Sequence, residues 1–394
     1  MNNKKQKVWI FSEVFYPDQT STGYILTELA KGLADEFDVT VITESGNSYG
    51  VLSKGKDELT GLEVIRFKNY RLDKNSLFQR LIKLTGISVK FLSFFLKNVN
   101  KNDKVICVTN PALALLGFSF LNKFKKSKII LIVHDVFPEN LVAGGLLKDG
   151  FIYRLLKKSF DMAYSSFDFI TVLGRDMLSV VRSKIDISRR IEIVENWGQV
   201  EELRQIESNK FDSFKDDRIS FVFAGNLGRL QNLEVLVNQF GQLKDKITLT
   251  LIGEGAVKNE LLKIIEEKKY TNIKLFDSQP REEQIHFINS FDVSIISLSE
   301  KMYGLGVPSK TYNILACGKP ILYIGPKDSE IDILISTHKI GWSLNSFDQL
   351  PSVLSSISKD SISKIDRIKI RKLSEDQYTY GHFMEKMKNI LQNV

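Results

Sequence analysis

Lys310 lies at the predicted start of a short helix, directly after a loop rich in glycine and proline, Gly304 to Pro308. The sequence predicts Ser309 as the N-cap, an apolar helix from Thr311 and a stop at Gly318. The first N–H groups of a helix have no intrahelical partner and carry a partial positive charge, to which Lys310 adds a full one. The segment can therefore seat an anion such as phosphate, although an ordinary helix-to-strand crossover would have similar ends.

A second candidate anion site follows the predicted strand Ile219 to Ala224. Gly225 and Gly228 bracket a tight loop before the next helix, where backbone N–H groups could hold a diphosphate. Arg229 is the cation within reach of this loop. The spacing of the two glycines by itself indicates only an α/β unit.

A third candidate site follows the predicted strand Lys128 to Val133. His134 and Asp135 come directly after this strand, and Glu139 follows four residues later. Open α/β sheets bind ligands at the carboxyl ends of their strands, so the position favours a catalytic role. A single histidine can equally be a structural residue.

Short apolar strands alternate with helical segments along the chain. The first βαβ unit consists of a strand from Lys7 to Phe11, a helix from Tyr24 to Phe37 and a strand from Asp38 to Thr43. Repetition of this unit predicts doubly wound parallel sheets. Further strands are predicted at Lys104 to Val108, Lys128 to Val133, Phe169 to Leu173, Ile191 to Trp197, Ile219 to Ala224, Leu249 to Glu254, Ile273 to Phe276, Phe291 to Leu298 and Ile321 to Ile324.

The length of 394 residues suits two domains. A polar stretch with little apolar periodicity, Gly198 to Arg218, is predicted to join them. Helical spacing from Asp376 to Leu391 could carry the chain back to the first domain.

The cysteines and the apolar runs argue against a disulfide-bonded, secreted or membrane-spanning protein, but the net charge does not identify a binding partner. The net charge of +8 would suit nucleic acid, anionic lipid or a polyanionic substrate equally. Cys107 and Cys317 lie in apolar runs without metal-ligand spacing, so we expect core thiols and no disulfide. The apolar run after the N-terminus is too short for a signal peptide, and the run from Val105 to Asn122 fits a strand, a turn and a helix better than a membrane span.

The segment Leu77 to Val99 has the pattern of a basic amphipathic helix. Arg80, Lys83, Lys90 and Lys97 alternate with apolar residues, and no acidic residue is present. Such a helix can lie on anionic lipid. It can also pack against the sheet with its lysines extended towards solvent at the edges.

The run VPSKTYNILACGKPIL resembles the donor-nucleotide motif of the family 4 retaining glycosyltransferases, in the branch that builds bacterial capsule and O-antigen repeats and includes the L-fucosamine transferase group. In that family a glutamate of the helix binds the ribose hydroxyls. Asn313 stands at the matching position, and its amide can still donate to and accept from a diol. A second family glutamate is matched by Leu305.

Other segments resemble the same family in family order. The segment YPDQTSTG, which contains Gly23, resembles its first loop, and His134, Asp135 and Glu139 match the branch motif His-Asp-x-x-Pro-Glu. The resemblance assigns the last three to catalysis. Asn226 and Gln231 stand at the positions of the family's diphosphate-binding arginine and lysine. The donor-binding residues that the resemblance implies are Gly23, Asn226, Arg229, Gln231, Gly253, Glu254, Ser309, Lys310 and Asn313.

The resemblance implies the GT-B architecture, an α/β fold of two Rossmann-like domains facing each other across a cleft. Residues 1–197 would bind the acceptor, residues 198–375 would bind the nucleotide sugar, and a helix within 376–394 would cross back onto the first domain. The implied reaction transfers a hexose or N-acetylated amino sugar, with retention, from a nucleoside diphosphate to a saccharide on a polyprenyl diphosphate.

The implied donor is UDP-linked, with no metal and no further cofactor required. The expected partners are this nucleotide sugar, the lipid-linked saccharide and an anionic inner-membrane surface, without nucleic acid, and the expected location is the cytoplasmic face of the plasma membrane. Two alternatives stay open. One is a nucleotide-sugar 2-epimerase of the same fold, and the other is a catalytically weak partner subunit of a glycosyltransferase complex.

Overall fold

The structure is a computed structural model that describes residues 5–18, 20–45, 62–68, 77–199 and 217–394. Within these ranges thirteen strands form two sheets in which every strand pair is parallel. Parallel sheets need helices on their faces, and strands covered on both sides become continuous apolar runs. Strands such as KVICV and KIILI, buried along nearly their whole length, have this character.

The first sheet has seven strands in the order β3-β2-β1-β4-β5-β6-β7. Its order reverses next to β1, the kind of place where doubly wound sheets bind ligands. The strands are β1 (Lys7–Ser12), β2 (Asp38–Glu44), β3 (Glu63–Phe67), β4 (Lys104–Val108), β5 (Lys128–Ile132), β6 (Phe169–Val172) and β7 (Arg190–Ile193). The accompanying helices are α1 (Ser21–Ala34), α2 (Leu77–Asn98), α3 (Ala112–Lys125), α4 (Glu139–Ala143), α5 (Phe151–Tyr164) and α6 (Arg175–Arg182).

The second sheet has six strands in the order β10-β9-β8-β11-β12-β13. The strands are β8 (Ile219–Ala224), β9 (Ile247–Ile252), β10 (Ile273–Phe276), β11 (Val293–Ser297), β12 (Ile321–Ile324) and β13 (Gly341–Leu344). The accompanying helices are α7 (Leu233–Gly241), α8 (Lys258–Glu267), α9 (Gln284–Asn289), α10 (Lys310–Ala316), α11 (Glu330–His338), α12 (Leu350–Ser356), α13 (Lys359–Ser363) and α14 (Arg367–Gln377), followed by α15 (Tyr380–Asn393).

The chain divides into two units between Glu195 and Asn196. The first unit contains residues 1–195 and 384–394, and the second contains residues 196–383. The expected boundary after residue 197 lies two residues further on. The helix expected from Asp376 to Leu391 is interrupted, because α14 ends at Gln377 and α15 begins at Tyr380. Most of the expected link, residues 200–216, lies outside the described residues.

Two predicted helix starts and stops can be compared with the structure. Helix α1 begins at Ser21, three residues before the predicted Tyr24, because the Thr20 side chain caps it by accepting from the N–H of Gly23. Helix α10 has seven residues and ends as predicted at Gly318, which has a φ of 62°. The N–H groups of Gly318 and Lys319 donate to the carbonyls of Leu315 and Ile314, which is the Schellman arrangement.

No helix in the described ranges is long and apolar enough to span a bilayer. The uncharged run from Val105 to Asn122 forms β4, a turn at Asn110 and Pro111, and most of α3, as the sequence predicts. Cys107 and Cys317 are buried free thiols whose pKa values are raised by burial. They are core residues, in agreement with the sequence interpretation.

Candidate functional site

Two glycine loops at the carboxyl ends of β8 and β9 are hydrogen-bonded to each other. The N–H of Leu227 donates to the carbonyl of Glu254 at 2.8 Å, and the N–H of Gly225 donates to the carbonyl of Ile252 at 2.9 Å. A Cβ atom on Gly253 would lie 1.9 Å from the carbonyl oxygen of Gly225. The glycine is therefore required for the close approach of two backbones, and not only for turn geometry.

Gly253→Ala is expected to lower the free energy of unfolding by about 2 kcal/mol or more, because a positive φ and a backbone clash both oppose the new methyl group. Gly145 supplies a matched control, since it also has a positive φ but a Cβ atom there would have no other atom within 4 Å. Gly145→Ala should cost only about 1 kcal/mol. Urea unfolding measures both variants, and equal losses would show that the loop contact contributes nothing.

Lys310 extends along the first glycine loop. Its Nζ lies 3.5 Å from the centroid of the Phe223 ring and 3.5 Å from the position that a Cβ atom would take on Gly225. No carboxylate in the described part of the chain lies within 4 Å of this half-buried ammonium. Burial lowers the pKa of Lys310 to about 7. The loop therefore has a cation next to it that lacks an anionic partner, which is the charge arrangement that a phosphate would satisfy.

The other predicted donor-binding side chains of the first glycine loop also lie close together. Asn226 Nδ2 and Gln231 Oε1 would each lie 2.7 Å from a Cβ atom on Gly228. Asn226 and Arg229 are exposed. Gln231 Oε1 is buried without a hydrogen-bond partner among the described residues. Asn226 and Gln231 are therefore brought together at Gly228, with unused hydrogen-bonding capacity at Gln231. Burial raises the pKa of the nearby Glu234 carboxyl, and the charge of Arg229 opposes this rise.

Ser309 and Glu254 differ in how firmly they are held. Ser309 is the N-cap residue of α10 as predicted, but its side chain makes no capping hydrogen bond. Glu254 is exposed and forms a 2.6 Å ion pair with Lys258. Both positions stay predictions as donor contacts.

Asn313 is buried and its side chain is engaged within the protein. Its Oδ1 accepts from the backbone N–H of Gln199 at 3.0 Å, and its Nδ2 donates to Oε1 of Gln199 at 3.2 Å and to Oε1 of Gln284 at 2.9 Å. Both amide hydrogens are therefore in use. Binding of the ribose by Asn313 stays a prediction, and it would require one of these glutamines to be displaced. Sequence reasoning missed Gln199 and Gln284, which lie far from Asn313 in the sequence.

Asn313→Ala is expected to lower the free energy of unfolding by about 1–3 kcal/mol, the usual cost of leaving buried hydrogen-bonding groups without a partner. Asn289→Ala is a suitable control, since Asn289 is only partly buried and its amide donates to the carbonyl of Ile285 within the same helix, α9. Urea unfolding and calorimetry with UDP would be measured on both variants. Unchanged stability together with lost UDP binding would show that the amide group serves the ligand and not the fold.

His134 and Asp135 lie at the carboxyl end of β5, beside the end of β4. The Thr109 hydroxyl accepts from the backbone N–H groups of both residues at 3.2 Å, and Asn110 Nδ2 lies 3.5 Å from Asp135 Oδ2. Burial raises the pKa of Asp135 to about 6, opposed by the hydrogen bond from Asn110. Thr109 and Asn110 were not singled out from the sequence, although their position at the end of a strand next to Pro111 is the signal that could have found them.

The imidazole of His134 lies in an unusual environment. Both ring nitrogens are buried, and neither has a hydrogen-bond partner in the described ranges. Burial lowers the pKa of His134 to about 4, so the ring is neutral at pH 7. A buried imidazole without partners costs stability, which suggests that a ligand supplies the missing hydrogen bonds.

Glu139 is the first residue of α4 and is held by two lysines. Its Oε1 lies 2.6 Å from Nζ of Lys184 and 3.4 Å from Nζ of Lys157. Lys184 also pairs with Asp161 at 2.7 Å. Within the described ranges no hydrogen bond or ion pair joins Glu139 to His134. The structure thus gives Glu139 a well-defined place in an ion-pair cluster, and its catalytic role stays a prediction.

Sequence reasoning missed a further charged cluster at the carboxyl ends of β1 and β2. Lys83 of α2 lies 3.7 Å from Glu13 and 3.3 Å from Glu44, and all three side chains are largely buried. Burial raises the pKa of Glu13, opposed by Lys83. Lys83 was expected among the cations at the edge of an amphipathic helix, whereas here it faces the sheet. Gly23 lies in the first turn of α1, and not ahead of the helix as the sequence suggested.

The described residues contain no cluster of three or more histidine, cysteine, aspartate or glutamate side chains suited to a metal ion. The polar groups gathered on the second unit are instead a lysine, an exposed arginine, amide side chains and loop N–H groups. This set can bind an anion by charge and by hydrogen bonds.

The fold is that of the GT-B glycosyltransferases. Sucrose-phosphate synthase from Thermosynechococcus elongatus superposes with a TM-score of 0.76 at 11% identity, covering 99% of both chains. Anabaena HepE in complex with UDP-glucose superposes with a TM-score of 0.70 at 12% identity, covering 98% of this chain and 100% of HepE. At these identities the likeness concerns the fold alone.

Sequence comparison defines the family. The model described as "Glycosyl transferases group 1" matches residues 205–345. The probable glycosyltransferase WbjE of Pseudomonas aeruginosa is 34% identical over 346 residues, which are 85% of each chain. The chain belongs to the group 1 glycosyltransferases, as the sequence resemblance predicted.

Two more distant relatives have informative names. The putative colanic acid biosynthesis glycosyl transferase WcaI of Escherichia coli K12 is 21% identical, covering 84% of this chain and 86% of WcaI. A Campylobacter jejuni N-acetylgalactosaminyltransferase, named for a diphospho-undecaprenol acceptor, is 24% identical, covering 51% of this chain and 53% of that enzyme.

Proposed function

We propose that the protein transfers a hexose or N-acetylated amino sugar from a UDP-linked donor to a saccharide carried on a polyprenyl diphosphate. The anomeric configuration is retained, and the product enters a bacterial surface polysaccharide such as capsule or O-antigen. The names of WcaI and of the Campylobacter enzyme support the pathway and the lipid-linked acceptor. The UDP-glucose complex of HepE supports the class of donor.

The observation that carries this proposal is the position of Lys310. An ammonium without an acidic neighbour in the described ranges lies beside a glycine loop whose backbone can approach a ligand closely. A diphosphate bound there would be held by Lys310, by Arg229 and by loop N–H groups other than those of Gly225 and Leu227, which donate to backbone carbonyls. These groups stabilise the negative charge that develops on a departing diphosphate, so the proposed reaction needs no metal.

In the proposed reaction the bond from the anomeric carbon to the diphosphate oxygen breaks. The acceptor hydroxyl attacks the anomeric carbon from the face on which the diphosphate leaves. The acceptor proton passes to the departing phosphate, so no protein nucleophile is required. His134 contacts the sugar or the acceptor through a neutral imidazole in this scheme. The acceptor lipid lies in the cytoplasmic leaflet, and the protein therefore works at the inner face of the plasma membrane.

A second candidate is a catalytically weak partner subunit. The hydrogen bonds of Asn313 to Gln199 and Gln284 favour it, because they occupy the amide that would otherwise meet the ribose. Under this alternative the protein binds a nucleotide weakly or not at all and supports the activity of another chain.

One assay separates these possibilities and the epimerase. The protein is incubated with a panel of UDP-sugars, with and without a polyprenyl-diphosphate saccharide, and both UDP release and sugar epimers are measured. UDP release that depends on the lipid acceptor supports the transferase. Epimer formation without acceptor would identify the epimerase, whereas UDP release without acceptor and without an epimer is hydrolysis of the donor. The absence of all products with every donor would favour the partner subunit.

A further inference from the structure

Helix α5 has apolar residues on its exposed face as well as on its buried face. Phe151, Leu155 and Met162 are 82%, 58% and 62% exposed. Their spacing of four and seven residues places them in one stripe along the helix. The opposite face contributes the buried residues Phe160, Ala163 and Tyr164. The fold therefore uses one side of α5, and the other side presents large apolar groups to solvent.

The exposed apolar side chains extend beyond this stripe. Ile152 is exposed next to Phe151, and α3, which packs against α5, exposes Phe120 and Phe124 in edge-to-face contact with each other. Soluble proteins rarely leave several large apolar side chains exposed along one pair of helices without a binding partner.

A basic depression borders the same stripe and shares Met162 with it. Arg154, Lys158 and Arg189 line the depression. Arg154 and Lys158 form no ion pair in the described part of the chain, whereas hydrogen bonds and the nearby charge of Arg189 lower the pKa of the Asp186 carboxyl. The Nε of Arg189 is also buried without a hydrogen-bond partner there. Two further lysines of the lining are already neutralised by the carboxylates described above. The unpaired charge next to the apolar stripe is therefore positive.

We propose that the exposed face of α5, with its adjacent basic depression, is the surface through which the protein docks on an anionic lipid bilayer. Apolar side chains enter the boundary between headgroups and acyl chains, while the cations meet lipid phosphates. A second copy of the chain fits this surface less well, since a symmetric contact would bring the unpaired cations against one another. The proposal rests on the membrane location of the acceptor described above and names the surface responsible.

Helix α2 was the sequence-based candidate for this role and provides the comparison. Lys83 is taken up by Glu13 and Glu44, and Lys90 donates to the backbone carbonyl of Lys68. Two of its four cations are therefore engaged, and the side chain of Arg80 lies outside the described set. Helix α2 nevertheless exposes four large apolar side chains, so apolar exposure alone does not distinguish it from α5. They are Leu81, Ile82, Val89 and Leu96, which are 55%, 40%, 59% and 50% exposed.

The test is vesicle sedimentation with the full chain and vesicles of phosphatidylcholine, with or without phosphatidylglycerol. We expect the triple variant Phe151→Ser, Leu155→Ser, Met162→Ser to lose at least tenfold in partition coefficient on anionic vesicles. Arg154→Gln with Lys158→Gln should lose about fivefold per charge on anionic vesicles only. The matched control, Val89→Ser with Leu96→Ser, should bind like the wild type.

Several outcomes would overturn the proposal. These are the absence of wild-type binding to anionic vesicles, undiminished binding of the triple variant, or a larger loss of partition coefficient in the α2 control than in the triple variant. A triple variant that changes only the oligomeric state in size-exclusion chromatography would instead identify a contact between copies. Calorimetry with UDP on each variant keeps the two proposals apart. Vesicle binding without lipid-dependent sugar transfer would contradict the proposed reaction but not the docking surface. Lipid-dependent transfer by a variant that no longer binds vesicles would contradict the docking surface but not the reaction.

Discussion

Replacing His134 by alanine is expected to lower the turnover number of sugar transfer by roughly a hundredfold, the usual scale for removing a preorganised hydrogen-bonding group that stabilises developing charge. Its imidazole is buried, has no hydrogen-bond partner at either nitrogen in the described ranges, and is neutral at pH 7 because its pKa is lowered to about 4. A substrate hydroxyl or phosphate in contact with the ring would satisfy these nitrogens. The measurement is steady-state turnover, with circular dichroism to confirm folding.

The buried environment of His134 also predicts the result expected if the residue has no role in catalysis. If His134 only fills space, removing two unsatisfied nitrogens should raise stability, so His134→Leu would unfold at higher urea concentration and turn over normally. His382, an exposed histidine at the start of α15, provides the control, and His382→Ala should leave turnover unchanged. His134→Gln, which retains a donor and an acceptor, should recover part of the activity lost in His134→Ala.

Replacing Lys310 by alanine is expected to weaken UDP binding by about 1.5–3 kcal/mol, the scale of a hydrogen bond to a charged group, or roughly 10- to 150-fold in affinity. The ammonium lies against the Phe223 ring and the first glycine loop without a carboxylate neighbour in the described ranges. Isothermal calorimetry with UDP measures the loss. Lys274→Ala, which removes an exposed lysine of β10, is the control and should bind UDP like the wild type.

The lowered pKa of Lys310 adds a pH dependence with a definite sign. In the free protein Lys310 loses its proton near pH 7, and a bound diphosphate favours the charged form and raises this pKa. Between the two pKa values binding takes up a proton, so UDP affinity should fall as pH rises above 7, approaching tenfold per pH unit. Lys310→Arg stays charged and should remove this slope. A slope shared by both proteins would belong to the ligand's own titration.

Local sequence patterns predicted much of the fold. The strand runs from Ile219 to Ala224 and from Ile321 to Ile324 coincide with β8 and β12, because buried parallel strands are short apolar runs bounded by turn residues. Gly318 ended α10 as expected, since a glycine can adopt the left-handed conformation of this cap. The edge strands β3 and β13, with the less distinctive sequences EVIRF and GWSL, were not predicted.

The candidate site was predictable only in part. Sequence reasoning identified Lys310, and the structure then brought it to Phe223 and Gly225, contacts that depend on how β8 and α10 pack. The engagement of Asn313 with Gln199 and Gln284 joins residues 114 and 29 positions apart, and no local pattern reports such a distance. The pairing of Lys83 with Glu13 and Glu44 also joins residues far apart in the sequence and was not predicted. Lys83 was expected at the surface and is largely buried instead.

The discontinuity of the first unit also affects the order in which the polypeptide can fold during synthesis. Residues 384–394 complete that unit through the buried Met387, Ile390 and Leu391 and through the ion pairs of Lys386 with Glu195 and of Lys388 with Glu36. A ribosome makes all of residues 196–383 before it reaches them. The unit whose sequence emerges first is thus the last to be finished, and the apolar surface that Met387, Ile390 and Leu391 cover stays uncovered during translation of the second unit.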